Sequence, residues 1–116
     1  MLIQNALGKT TFSNEVVSKI ISKTISMTEG VGSLSTGIVE SLAQKLTGNR
    51  IYNGIELREQ DTGLDIELSV IVRYGLRMQE VCRDLQENVR VAVENFTGLP
   101  ISTVHIKIEG IDLATQ

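Results

Sequence analysis

The clearest pattern in the chain is a period-two alternation that starts at Leu64. Leu64, Ile66, Leu68, Val70 and Val72 fall on one side, and Asp65, Glu67, Ser69, Ile71 and Arg73 on the other. This is the signature of a strand with one buried face. A second strand is predicted over Ile51–Glu59, joined to the first by Asp61-Thr62-Gly63, whose residue types favour a tight turn. The two strands form a predicted hairpin. A third strand is predicted over Ile101–Ile111, where Val104, Ile106 and Ile108 oppose His105, Lys107 and Glu109. Lys9–Phe12 and residues 31–34 predict shorter strands, with residues 1–8 as an unstructured lead-in.

Helical spacing takes over in two places. After Ser13 or Asn14, which can cap a helix through a side-chain oxygen, Val16, Val17, Ile20, Ile21 and Ile25 share a face. Glu15, Ser18, Lys19 and Lys23 lie opposite, and the helix should stop before Gly30. The longer helix is predicted over 77–96, with the stripe Met78, Val81, Cys82, Leu85, Val89, Ala92, Val93 and Phe96. Gly98 can close it with a left-handed residue, and Pro100 prevents its continuation. Asn88 sits at the stripe's edge and is expected to make a boundary hydrogen bond. Residues 38–46 place Ile38, Val39, Leu42 and Leu46 on one side and predict a short amphipathic helix.

Each main helix has one apolar face, and so does each strand. The economical packing is an α+β two-layer sandwich, with two main helices on one face of a small mixed sheet. The expected order is β-α-(β)-β-β-α-β. The other sheet face then stays open to water or to a partner. A chain of 116 residues fits a single domain over 1–116. Its expected core is 8–112, and 33–50 forms a crossover with the short helix.

Composition narrows the function classes. Only 3% of residues are aromatic, so the core must be aliphatic. The net charge of −3 argues against binding nucleic acid or anionic lipid through a basic surface. One cysteine cannot form an internal disulfide, which predicts a reducing compartment. The N-terminal residues do not read as a secretory signal. No apolar run approaches the roughly 20 residues that span a bilayer. The expectation is a cytoplasmic protein with no direct membrane insertion.

Candidate chemistry is sparse. Gly8-Lys9-Thr10 ends like a phosphate-binding loop, but position 3 is Ile where that loop needs glycine. Gly30-Val31-Gly32 begins like a dinucleotide fingerprint, but Ser35 stands at its third glycine and a helix precedes it. Cys82 lies on an apolar stripe and His105 points away from the core, so a nucleophile–base pair is not expected. Asp65, Glu67 and Glu56 read as solvated charges flanked by Arg58, Arg73 and Lys107. No two glycines are spaced as an RNA-binding KH loop requires. No catalytic, metal or cofactor-binding residue is predicted, and no cofactor is expected.

The stretch 70–111 carries Tyr74-Gly75, Glu80-Val81, Gln86, Asn88-Val89, Thr97-Gly98-Leu99 and Gly110-Ile111 in that order. Ser13-Asn14-Glu15-Val16-Val17 and Glu29-Gly30-Val31 precede it. This ordered set resembles the alkaline shock protein family of envelope stress response proteins in Gram-positive bacteria, across about residues 8–112. The chain departs at Arg77-Met78, where the family often has isoleucine–proline, and 33–50 is a variable segment.

The resemblance implies a non-enzymatic interaction or scaffold protein. It would support the envelope stress response or lipid homeostasis, peripheral to the membrane through a membrane-anchored protein partner. A homo-oligomer is expected. The expected partner surface comprises Ile38, Val39, Leu42 and Leu46, together with Ile71 and His105 on the open sheet face. The alternative reading is a sensor of a small lipid metabolite, with a pocket between the hairpin and the 30–50 crossover.

Overall fold

The computed structural model describes residues 1–34, 51–52 and 54–113. In chain order these form β1 (Leu2–Asn5), β2 (Gly8–Thr11), α1 (Asn14–Ser26), β3 (Val31–Leu34) and β4 (Ile51–Tyr52). Then follow β5 (Ile55–Gln60), β6 (Gly63–Arg73), α2 (Met78–Thr97) and β7 (Ile101–Asp112). The predicted helix over 38–46 lies outside the described residues.

β6 is the centre of a five-stranded mixed sheet. Along one edge it pairs antiparallel with β5 from Gly63 to Leu68, then with β3 from Val70 to Val72. Along its other edge it pairs in parallel with β7 from Leu64 to Arg73. The predicted apolar side of β6 is the core: Leu64, Ile66, Leu68, Val70 and Val72 are all buried. Both helices cover that side, with Val17, Ile21 and Ile25 from α1 and Val81, Leu85, Val89 and Val93 from α2. The result is the expected two-layer α+β arrangement.

Several details differ from the sequence expectations. The lead-in is not loose, because Leu2–Asn5 pairs antiparallel with Gly8–Thr11 as a separate two-stranded ribbon. Met1 and Phe12 at its base pack against the core. The strand predicted over 51–59 is two strands folded back on each other, Ile51 opposite Glu56 and Tyr52 opposite Ile55. The intervening sequence, Asn53-Gly54, is a strong hairpin dipeptide.

The helices bury narrower ridges than their stripes suggested. On α2 the buried row steps by four, through Val81, Leu85, Val89, Val93 and Thr97. Phe96 is one residue off that row and is 66% exposed. Thr97 takes the buried place by satisfying itself locally: its hydroxyl donates to Val93 O (2.6 Å) and accepts from Leu99 N (3.0 Å). On α1 the row is Val17, Ile21 and Ile25, which leaves Val16 exposed and buries Ser18 instead.

The helix ends are built as the sequence indicated. Ser13 Oγ accepts from Val16 N at 3.1 Å, capping α1. Gly98 closes α2 at φ 76, and its N–H donates to Glu94 O at 2.8 Å. Asn88 does make a boundary bond, donating from Nδ2 to Thr28 Oγ1 at 3.2 Å. Thr28 in turn donates to Thr24 O at 2.9 Å, so this bond ties α2 to the end of α1.

Gly30 is where these layers come closest. It is buried at φ 93, and a Cβ there would lie 2.9 Å from both Leu76 Cδ1 and Val81 Cγ2. Its carbonyl accepts from Arg73 N at 3.0 Å. Gly30→Ala is therefore expected to lower the unfolding free energy by about 3 kcal/mol, through backbone strain plus overpacking. Gly75→Ala is the control. Gly75 has φ 102 but nothing within 4 Å of a Cβ, so strain alone should cost about 1 kcal/mol. Urea titrations of both variants decide this, and equal losses would refute the close-packing account.

Candidate functional site

The sheet face opposite the helices carries the candidate carboxylates. Glu67 receives Lys107 Nζ at 3.3 Å and Arg58 Nη2 at 3.8 Å, and Arg58 Nη1 lies 3.4 Å from Glu56. Asp65 accepts a hydrogen bond from Thr103 Oγ1. Glu67 and Asp65 are thus matched from neighbouring strands, and Glu56 by Arg58 on its own strand. Exposed pairs of this kind contribute about 0–1 kcal/mol each. They set Arg58 and Lys107 against Glu56 and Glu67. Among the described residues no group of three or more His, Cys, Asp or Glu side chains is arranged to hold a metal.

His105 is exposed and opposite Glu67 in the β6–β7 register. Ile71 is half-buried on the same face, and a Cβ on Gly110 would come within 3.3 Å of its Cγ1. Gly110 therefore makes room for Ile71 to lie across β7. The remaining predicted surface residues, Ile38, Val39, Leu42 and Leu46, lie outside the described residues. Cys82 is a half-buried free thiol on α2, and burial pushes its pKa up.

A different surface emerges at the far end of the sheet, which sequence reasoning did not single out. Tyr74 (71% exposed) and Leu76 (42%), just after β6, meet Ile111 (56%) near the end of β7. Tyr74, Leu76 and Ile111, with Val72, Met78 and Arg73, line a mainly apolar cleft of about 380 Å³. Tyr74 N donates to Asp112 O at 3.0 Å, which holds the two strand ends together beneath it. The signal was present in sequence as Tyr74, where the predicted strand ends, and Leu76 just after it. It reads as connection until β7 is placed alongside.

The residues that carried the resemblance have structural tasks. Gln86 Nε2 donates to Val104 O at 3.0 Å, Asn88 ties the helices, and Thr97-Gly98-Leu99 closes α2. A family model, that of the alkaline shock protein 23 family with a "cell envelope-related function", matches residues 2–113. The chain belongs to that family. It is the group that the sequence resembles, and the match ties the chain to the cell envelope. A similar curated protein is the uncharacterised YqhY of Bacillus subtilis (strain 168), 31% identical over 114 residues, covering 95% of this chain and 82% of YqhY. The uncharacterised YloU of the same organism is 23% identical over 111 residues, covering 94% and 92%. Among solved structures, the copper form of the MamM CTD aligns with a TM-score of 0.51 at 14% identity, over 89% of this chain and 91% of that one. That likeness concerns the fold alone.

The Cys82 environment yields a direct test. Because burial raises its pKa, the folded state keeps the thiol proton where the unfolded chain has released it. Its contribution to stability is whole at neutral pH and declines as pH rises through the alkaline range. Alkylation of Cys82 at neutral pH should be slower than that of the unfolded chain, and His105→Ala should not change the rate. A rate that falls in His105→Ala would reveal a coupled Cys–His pair.

Proposed function

We propose that this protein is a non-enzymatic interaction module of the cell envelope, acting in the cytoplasm through protein contacts. The carrying observation is the apolar end formed by Tyr74, Leu76 and Ile111. Clustered large apolar side chains on a surface favour contact with another molecule. Two further facts support the reading: the family's envelope-related function, and acids on the open face already matched by their neighbours. No helix of the described residues is long and apolar enough to cross a membrane. Any membrane association would then run through an anchored protein, for which the apolar end is a suitable contact.

The test is in-cell crosslinking with mass spectrometry, together with membrane fractionation. Leu76→Asp and Ile111→Asp should each abolish specific crosslinks and release the protein from the membrane fraction. Glu67→Gln, Cys82→Ala and His105→Ala should leave envelope stress tolerance unchanged. Loss of tolerance in those three, with crosslinks intact, would favour an enzyme and overturn the proposal.

A second reading, a sensor for an apolar metabolite, is supported by the same cleft of about 380 Å³, with Arg73 and Tyr74 at its rim. A saturable thermal shift with fatty acids that is lost in Leu76→Asp would favour it over the first.

A further inference from the structure

The apolar cleft at the end of the sheet is lined by a single charged residue, Arg73. Val72, Leu76, Met78 and Ile111 supply its apolar wall, and Tyr74 and Gly75 its turn. Arg73 ends β6 on the side of the strand that carries Asp65, Glu67 and Ile71, the open face of the sheet. The other cations of that face are matched. Arg58 Nη1 lies 3.4 Å from Glu56, and Lys107 Nζ lies 3.3 Å from Glu67. Arg73 is exposed, and no carboxylate of the described residues stands within ion-pair distance of it. Asp112 is opposite Arg73 in the β6–β7 register and has an interaction of its own. Arg77, between Leu76 and Met78, is a second exposed cation beside the cleft without an ion-pair partner among the described residues.

The chain as a whole carries a net charge of −3, so its overall field favours a basic partner. The cleft is a local exception. A partner that covered it with apolar groups alone would take the Arg73 guanidinium out of water with no counter-charge, which is costly. A carboxylate brought by the partner removes that cost, because guanidinium and carboxylate match as a two-bond fork. Tyr74 lines the same cleft, and a phenol hydroxyl can donate one further hydrogen bond to an acid. A basic segment would instead meet Arg73 and Arg77 as like charges.

We propose that the cleft takes an acidic, apolar segment of another protein. Large apolar side chains of that segment fill the space against Val72, Leu76, Met78 and Ile111, and a glutamate or aspartate beside them pairs with Arg73. Arg77 adds to the attraction from the start of α2. This rests on the interaction-module reading and names the chemistry of the partner for its apolar end. The apolar wall supplies contact without much selectivity. The unmatched guanidinium supplies the selectivity, because it disfavours segments that lack an acid or carry a base. The rest of the open face does not compete for the acid, since Arg58 and Lys107 already face Glu56 and Glu67.

Fluorescence anisotropy with the full chain tests this. The probe is a labelled synthetic amphipathic peptide with leucine on one face and glutamate beside it. Its counterpart carries lysine in place of glutamate. The glutamate peptide should bind, and the lysine peptide should bind about tenfold more weakly. Arg73→Glu should weaken the glutamate peptide about tenfold and turn the preference toward lysine. Leu76→Asp should abolish binding of both. Arg83→Gln, which removes a cation from the groove beside β7, should change neither, and thermal melts show that each variant is folded. Equal binding of the two peptides, no binding of either, or a preference that Arg73→Glu leaves untouched overturns the inference. Saturable binding of decanoate without binding of the glutamate peptide overturns it in favour of the metabolite reading. Cellular crosslinks that need Leu76 and Ile111 but survive Arg73→Glu would overturn it while leaving the interaction-module reading intact.

Discussion

The structure depends on burying β6 while pairing both of its edges. Five apolar side chains on one face of this strand are buried, which fixes where both helices must lie. A strand in that position cannot leave backbone N–H or C=O groups unpaired without a penalty comparable to a lost hydrogen bond. β7 satisfies one edge along its length, while β5 and then β3 satisfy the other in succession. The fold assigns two partners to the second edge because β5 reaches only as far as Ile55, opposite Leu68, while β6 continues to Arg73. β3 fills the remainder, and Gly30 before it must pass close under Leu76 and Val81 to get there.

How much of this was legible in the sequence depends on the range of the interaction concerned. The alternation from Leu64 to Arg73 is a local imprint of a buried face, and it predicted the core residues of β6 correctly. β7 shows the same principle in finer form. Its apolar positions run Leu99 and Ile101, then Val104, Ile106 and Ile108, then Ile111 and Leu113. The parity changes twice, and the β6–β7 register shifts at those same two places, between Ile101 and Thr103 and between Ile108 and Gly110. A bulge adds a residue and resets the alternation, so these irregularities were written in the pattern although a single uninterrupted strand was predicted. The helices were harder. A wide apolar stripe at helical spacing admits several buried rows, and the chosen row is set by what packs opposite. Phe96 and Val16 belonged to the stripes but not to the rows, and Ser18 was drawn inside by its position alone.

The residues that carry the family resemblance mostly shape the backbone or satisfy it. Gly30 permits a close approach, Gln86 occupies a backbone carbonyl of β7, and Thr97 with Gly98 ends α2. Their tasks, where the structure shows them, are those of backbone geometry and hydrogen bonding. This explains why the ordered motif identifies the fold and family so well and a reaction so poorly. On the open face Glu67 is met across strands by Arg58 and Lys107, and Asp65 by Thr103. The apolar end escaped sequence reasoning for a related reason. Tyr74 and Leu76 belong to a connection, and Ile111 lies more than thirty residues later. Only the parallel pairing of β6 with β7 sets them side by side.

That parallel pairing also shapes the outer edge of β7. A parallel neighbour must be reached by a crossover, and here α2 is that crossover. Its last turns lie over the beginning of β7, so only that end of the strand is within reach of α2 side chains that can cap its backbone. The helix enters at Met78 beside Ile111 and leaves at Thr97 just before Ile101. Gln86 and Glu94 come from its middle and late turns, and both engage the first four residues of β7. The distal half of the strand is flanked instead by the start of α2 and by the apolar cleft. The fold's own connectivity therefore divides β7 into a half that α2 side chains cap and a half with exposed Ile108 and Ile111. The asymmetry needs no separate device, because it follows from the direction in which one helix returns across the sheet.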